Sequence, residues 1–392
     1  KTEGVYVDAI DLALFKAHYH QIPIILGSAT PRIESYYKAI QQDYKLIELK
    51  EDKSEHLQKL TVVNLKDELI QGNTSIISRR LKEKIEERLA RSEQIILLHN
   101  RKGFASYMLC RQCGFVPKCP HCDISLTVYK EKDKLRCHYC GYEQEYPKTC
   151  PSCQDKHIKE VGIGIEYVEN YVKRIFPEAR ILRLDREMTK TATQHETIYQ
   201  KLESQEADIL LGTQLVTKGL DYTHVTLVGV LLADTAFKIP SFRTKERAFQ
   251  LFYDLSNRLS SHESGEMILQ TYDPDHEVIS LIKGGYKAFY QTMIHERKLL
   301  SYPPFMDVSR IRFEGKSLLQ TYQHAFKTKK LLSEFNDTIL GPAEALQRKV
   351  KGLYRFDLVI KSSSIDTPSI FKVLDQIDQK SVNISYFPNI ES

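Results

Sequence analysis

Eight cysteines carry the most explicit chemistry in this chain, in four pairs: Cys110-Arg-Gln-Cys113, Cys119-Pro-His-Cys122, Cys137-His-Tyr-Cys140 and Cys150-Pro-Ser-Cys153. A C-x-x-C turn aims two thiolates at one ion while backbone N–H groups of the turn support the sulfurs. Two such turns therefore close a tetrahedral site, and four imply two zinc ions. All eight cysteines fall within residues 110–153. A secreted disulfide protein would scatter its cysteines, so the clustering points to metal in a reducing cytosol. Disulfides, an iron–sulfur cluster and redox-active C-x-x-C motifs are the competing readings; four ribbon-like turns with no cysteine left over favour zinc. Between Cys122 and Cys137, Ile124–Tyr129 and Leu135–Cys137 flank a polar turn and predict a hairpin. That hairpin joins the inner pairs, Cys119/Cys122 with Cys137/Cys140, and leaves the outer pairs, Cys110/Cys113 with Cys150/Cys153, for the second ion. Eight thiolates leave no open coordination position, so both sites are expected to be structural. His121 and His138, inside the turns, are read as exposed residues rather than ligands.

Two further groups of residues could act on phosphates. Gly27-Ser28-Ala29-Thr30-Pro31 closes one apolar run, and Gly212-Thr213-Gln214 with Lys218-Gly219-Leu220-Asp221 follows another. Hydroxyls and amides at the carboxyl ends of parallel strands are where open α/β sheets bind ligands, and Lys218 could face a phosphate. Near the carboxyl end, Arg348, Lys349, Lys351 and Arg355 interleave with Tyr354 and Phe356. Positive charge with interleaved aromatics suits nucleic-acid backbone contact and base stacking, although a solvated loop has the same composition.

These residues need a frame, and the apolar pattern predicts an α/β fold with a largely parallel sheet. Ile22–Leu26, Gln94–His99, Arg180–Leu184, Asp208–Gly212, Val225–Leu232 and Glu266–Thr271 read as buried strands. Asp8–Ala17 has helix-like spacing, and Ser78 caps a helix through Arg91 with Leu81, Ile85 and Leu89 on one face. Tyr302-Pro-Pro-Phe305 reads as a rigid packing element at a domain boundary. Beyond it the pattern is strand, helix Leu318 to Phe335, strand, helix and a last strand at Asn383–Phe387.

The 392 residues, 42% hydrophobic and 27% charged, suit a globular chain of two to four domains. No apolar run is long enough to span a bilayer, so no membrane role is expected. A net charge of +5 permits a nucleic-acid partner without demanding one. The chain opens at Lys1 with no methionine or apolar leader, which reads as processing or a fragment.

Taken in order, the motifs resemble the carboxyl-terminal portion of the PriA (primosomal protein N′) family of superfamily 2 helicases. The resemblance rests on Gln21–Pro31, on Asn100-Arg-Lys-Gly-Phe-Ala105 leading into the cysteine block, on Gly212–Asp221, and on Phe242-Arg243 with Glu246-Arg247. It continues through Glu296–Phe305, Leu340-Gly-Pro-Ala343 and Gly352–Phe356. It implies a remnant of RecA-like lobe 1 over 1–55 and lobe 2 over 56–105 and 157–295. A two-zinc insertion over 106–156 and a small α/β domain over 296–392 complete that organisation. It also implies an ATP- and Mg²⁺-dependent 3′-to-5′ helicase acting on forked or single-stranded DNA in replication restart. Implied partners are single-stranded DNA-binding protein, other primosome proteins and the replicative helicase; the implied location is the bacterial cytoplasm, at the nucleoid. Ser28 and Thr30 would couple nucleotide state to DNA. Gly212, Thr213, Gln214, Lys218, Gly219 and Asp221 would contact backbone and nucleotide. Arg258 would reach the γ-phosphate.

The chain also departs from that family. It contains no G-x-x-x-x-G-K-[S/T] and no D-E-x-H box, so alone it is expected not to hydrolyse ATP. Where the family has a glutamine, Gly-Arg and a second arginine, this sequence has Asp254, Asn257-Arg258 and Ser261. A divergent but working helicase is the favoured reading. A catalytically silent zinc scaffold that keeps DNA and protein binding is the alternative, and a zinc-ribbon transcription or RNA-binding factor would leave the ordered motifs unexplained.

Overall fold

A computed structural model describes residues 8–49, 60–99, 107–122, 124–129, 134–161, 165–184, 192–213, 224–238, 240–259, 265–333, 338–363, 367–377 and 381–388. The chain divides into two compact units. One contains 47–116 and 147–290; the other gathers 1–46, 117–146 and 291–392. The cysteine-rich stretch is thereby shared between them.

The first unit is built on a six-stranded sheet. Its order is Leu60–Asn64, Glu266–Thr271, Val225–Val230, Gln94–Leu98, Ile209–Gly212 and Ile181–Leu184. Every neighbouring pair runs parallel. The central strands are near-continuous Ile, Leu and Val runs because helices cover both faces and leave no solvent side to mark with polar residues. Parallel neighbours also require crossovers, supplied by helices such as Arg79–Ala90, Ile165–Ile175 and Thr244–Leu259. The Ser78 Oγ accepts from the Leu81 amide at 3.2 Å and caps the first of these. Leu81 and Ile85 then face Ile95, Leu97, Leu227 and Ile268 in one core. Gln270, fully buried on Glu266–Thr271, fixes the approach to that helix. Its Oε1 accepts from the Ser78 amide at 2.7 Å, and its Nε2 donates to Ile76 and Leu231 carbonyls at 2.9 Å.

The second unit contains an antiparallel sheet in the order Thr338–Val350, Leu353–Ser362, Asp307–Gly315, Val382–Phe387. Helices Leu318–Leu332 and Thr367–Asp375 pack over Ile311, Phe313, Phe356, Leu358 and Ile360 on one face. The sequence pattern gives one strand between these helices; the structure has two. They are joined at Lys351-Gly352, both with positive φ (50° and 82°). A two-residue turn of that kind needs left-handed backbone at both positions, and Lys-Gly lacks the usual Asn-Gly or Asp-Gly signature.

One expectation is overturned here. Ile22–Leu26 is not a buried strand: Ile25 is 91% exposed and Ile22 57%, and no described strand pairs with the segment. An apolar run becomes a core strand only where a neighbouring strand and a covering layer meet it, and among the described residues neither does. The helix beside it forms as expected, over Ala9–Tyr19, with Asp8 accepting from the Ile10 amide at 2.8 Å.

Candidate functional site

The four C-x-x-C turns share one backbone geometry. In each, the amide of the first cysteine donates to the carbonyl five residues on: Cys110 to Phe115, Cys119 to Ile124, Cys137 to Tyr142 and Cys150 to Asp155, at 2.8–2.9 Å. Among the described residues, three are closed further by an amide donating back to the first cysteine's carbonyl, from Gly114, Gly141 and Gln154 at 2.8–3.0 Å. These three residues have φ of 77°, 83° and 61°, which glycine meets at no steric cost and Gln154 meets against its preference. Such turns point both sulfurs to the same side of the loop.

The sulfurs fall into two groups, Cys110/Cys113/Cys150/Cys153 and Cys119/Cys122/Cys137/Cys140, with all ligand atoms of a group within 4.8 Å of one another. This is the nested pairing the hairpin argument expects. The hairpin itself is present: Thr127–Tyr129 pairs antiparallel with Lys134–Arg136, and Glu143–Glu145 adds a third strand. The polar turn between the hairpin strands lies outside the described residues. Cys110 and Cys153 sulfurs are 3.6 Å apart, Cys113 and Cys150 3.5 Å, and Cys119 and Cys140 3.5 Å. Disulfides require about 2.05 Å, whereas four sulfurs each about 2.3 Å from a tetrahedral zinc lie about 3.8 Å apart. The spacing and the all-thiolate donor set fit zinc. Within the second group, hydrogen bonds from the Cys122 and Cys137 thiols hold Cys119 down at about 7, while burial pushes Cys110 in the first group up to about 12.

The two groups are seated differently. Cys110 ends the strand Tyr107–Cys110, paired with Ile158–Val161, and Tyr107, Leu109 and Val116 pack with Tyr272 just past the sheet strand Glu266–Thr271. The first group is thus fused to the parallel unit. The second belongs to the other unit, against the antiparallel sheet. The Tyr302 hydroxyl donates to the Cys122 carbonyl at 3.1 Å, and Arg136 pairs with Glu344 at 3.1 Å. His138 is not the exposed residue expected from its turn. It is buried, its pKa pulled down to about 4 by that burial, and the charges of Asp357, Arg310 and Arg312 act on it.

The phosphate-facing residues are placed less completely. Gly212 ends its strand, its carbonyl accepting from the His99 amide at 2.8 Å, and the Thr213 amide reaches the Leu184 carbonyl at 3.3 Å. Gln214, Lys218, Gly219 and Asp221 lie outside the described residues, as do Ser261 and the Arg258 side chain, whose backbone closes the helix Thr244–Leu259. Ser28 Oγ accepts from the Thr30 amide at 3.1 Å, in the unit that does not contain Gly212. The carboxyl edge of the parallel sheet also holds an acid that sequence reading passes over. Asp234 is fully buried; its Oδ2 accepts from Thr271 Oγ1 at 2.8 Å and the Tyr272 amide at 3.0 Å. Burial raises its pKa. The available signal was an acid two residues after the apolar run Val225–Leu232.

Of the four basic residues read as DNA-facing, two are held by carboxylates. Arg355 pairs with Glu314, and Arg348 lies 3.4 Å from Glu344. Lys349 lies over the Tyr354 ring, 4.5 Å from its centroid, and Lys351 is exposed in the turn.

The chain matches two family models: the PriA DNA helicase Cys-rich region domain at residues 119–144 and the Primosomal protein N C-terminal domain at 298–385. It is 39% identical over 389 residues to the replication restart protein PriA of Bacillus subtilis, covering 96% of this chain and 48% of that protein. Against PriA of Synechocystis the identity is 36% over 375 residues, with 92% and 44% covered. The chain belongs to the PriA family, in its carboxyl-terminal portion. It spans about half the length of these curated PriA relatives. A solved structure of Saccharomyces cerevisiae Dbp5 bound to RNA and ADP BeF3 is similar at 9% identity and a TM-score of 0.36, over 74% of this chain and 58% of that one. No described helix is long and apolar enough to cross a membrane.

Proposed function

We propose that this chain is the zinc-bearing, fork-engaging portion of a PriA-type 3′-to-5′ DNA helicase that recognises stalled forks and starts primosome assembly. The observation that carries this reading is the pair of nested four-cysteine groups, one fused to a parallel α/β sheet and the other seated on the C-terminal domain. Each group holds one Zn²⁺, and closed thiolate spheres make both ions structural.

In this reading residues 56–105 and 157–295 form the second helicase lobe, 1–55 contribute to the first, 106–156 are the zinc insertion and 296–392 the terminal domain. ATP and Mg²⁺ bind where the carboxyl edge of the parallel sheet, with Gly212, Thr213, Lys218 and Arg258, meets Walker elements this sequence does not contain. Gln214, Gly219 and Asp221 belong to the same segment, and Ser28 and Thr30 relay nucleotide state to DNA. Forked or single-stranded DNA, single-stranded DNA-binding protein, other primosome proteins and the replicative helicase are the partners, in the cytoplasm at the nucleoid.

The deciding experiment measures DNA-stimulated ATP hydrolysis by the full-length protein from the same source. Stimulation by forked DNA supports the helicase. Hydrolysis at background with retained fork binding assigns the silent scaffold, consistent with Asp254, Asn257 and Ser261 in the arginine motif.

A further inference from the structure

The helix Leu318–Leu332 buries Thr321, Ala325, Thr328 and Leu332 and turns three large apolar side chains outward: Leu319, 65% exposed, Tyr322, 40%, and Phe326, 52%. They recur at i, i+3 and i+7, the spacing of one helical stripe. The Tyr322 and Phe326 rings lie 6.2 Å apart and only 24° from parallel. Exposed lysines 316, 327 and 330 accompany them, and no acidic residue occurs from Lys316 to Ser333. The stripe continues onto the sheet. Tyr322 meets the Phe356 ring edge-on at 5.5 Å, and Tyr354 lies two residues away on the same face of that strand. Opposite Tyr354 stands Gly315, where a Cβ would come within 2.4 Å of Thr321 Oγ1; its absence lets the helix sit close beside Tyr354. Lys349, over the Tyr354 ring, and Lys351 complete a face of flat rings bordered by ammonium groups.

We propose that this face is a single-stranded nucleic-acid track on which successive bases stack on Tyr322, Phe326 and Tyr354 while Lys327, Lys330, Lys349 and Lys351 follow the phosphates. The inference rests on the DNA-binding reading above and names a surface for it. A helix stripe of this spacing would also enter an apolar groove of an acidic protein. The near-parallel rings and the lysines on their borders favour bases and phosphates, since stacking serves any base and the lysines answer a polyanion.

The chain contains no tryptophan, so Phe326→Trp places a single reporter on the face. Oligo-dT added to the full chain carrying this change should quench the fluorescence in step with the anisotropy of labelled oligo-dT. Adding Tyr322→Ala should weaken binding at least about fivefold. Lys327→Gln with Lys330→Gln should flatten the slope of log K against log salt by about 1.4. Circular dichroism confirms that each variant is folded. Binding of oligo-dT with unchanged fluorescence overturns the track and leaves the DNA reading standing. Quenching by poly-glutamate but not by oligo-dT overturns it in favour of an acidic protein. Failure of the parent chain to bind either oligo-dT or forked duplex overturns the track and the DNA reading together.

Discussion

The hydroxyl of Tyr302 donates to the backbone carbonyl of Cys122 at 3.1 Å, tying the Tyr-Pro-Pro-Phe segment to one turn of the second cysteine group. Tyr302 is almost fully buried, and Lys361 Nζ sits 3.8 Å from its ring centroid. Tyr302→Phe keeps the ring and that cation contact while leaving the carbonyl without its donor. A buried acceptor left unsatisfied costs about 1–3 kcal/mol. Release of metal to a chromophoric chelator should accelerate for one of two ions and not for the other. Equal acceleration of both, or of neither, would show that the contact does not support the second site.

That tie also shows what could and could not be read in advance. Four C-x-x-C pairs with a hairpin between the inner two determine the nested grouping, because spacing alone limits which thiolates meet. The parallel sheet was legible for the same local reason: Gln94–Leu98, Ile209–Gly212 and Val225–Val230 are apolar runs bounded by turn residues. What escaped depends on contacts distant in sequence. His138 is buried by a sheet more than 150 residues downstream, Asp234 by Thr271 and Tyr272, and the exposure of Ile22–Leu26 follows from the lack of a described partner strand. The fate of Arg355 was hidden for the same reason: it suited a polyanion, but Glu314 reaches it from the neighbouring strand, whereas Glu344 stands only four residues before Arg348 on the same strand.

Because the two cysteine groups belong to different units, their loss should have separable effects. Cys137→Ser removes a fully buried ligand from the group beside Arg136 and Glu344. Metal content should fall from two ions to one, and limited proteolysis should reach the hairpin 124–136 first. Cys150→Ser should lower metal content equally but expose the strand Ile158–Val161 instead. Structural zinc contributes about 10–16 kcal/mol in small peptides, so a module that lost its ion should be locally unfolded. Identical cleavage patterns for the two variants would contradict the separation.

The basic hairpin divides in the same testable way. Lys349→Ala with Lys351→Ala should lower the salt dependence of single-strand binding by about 0.7 for each phosphate no longer neutralised, with little change in stability. Arg355→Ala strands Glu314, and its main effect should be a lower melting temperature rather than a changed salt slope. A salt slope that responds to Arg355 as strongly as to Lys351 would place the arginine on the nucleic acid and its pairing with Glu314 as secondary.

Asp234 offers a prediction whose sign follows from its burial. Its Oδ2 receives two hydrogen bonds, yet Oδ1 is buried without a hydrogen-bond partner, so ionisation is disfavoured in the folded state and the carboxyl pKa lies above its ordinary value of 3.8. A raised acid contributes stability that is fully present below the unfolded pKa and is lost as pH rises through the folded one. Asp234→Asn keeps an acceptor for Thr271 and Tyr272 and carries no charge to bury. Urea denaturation should therefore find the variant gaining on the parent as pH is raised from about 4 toward 8, with the parent's relative deficit vanishing at the acidic end. A difference that stays constant across that range, or that grows toward acid, would mean that Asp234 is ionised and compensated in the folded protein, with a cation or an ordered donor supplied to Oδ1.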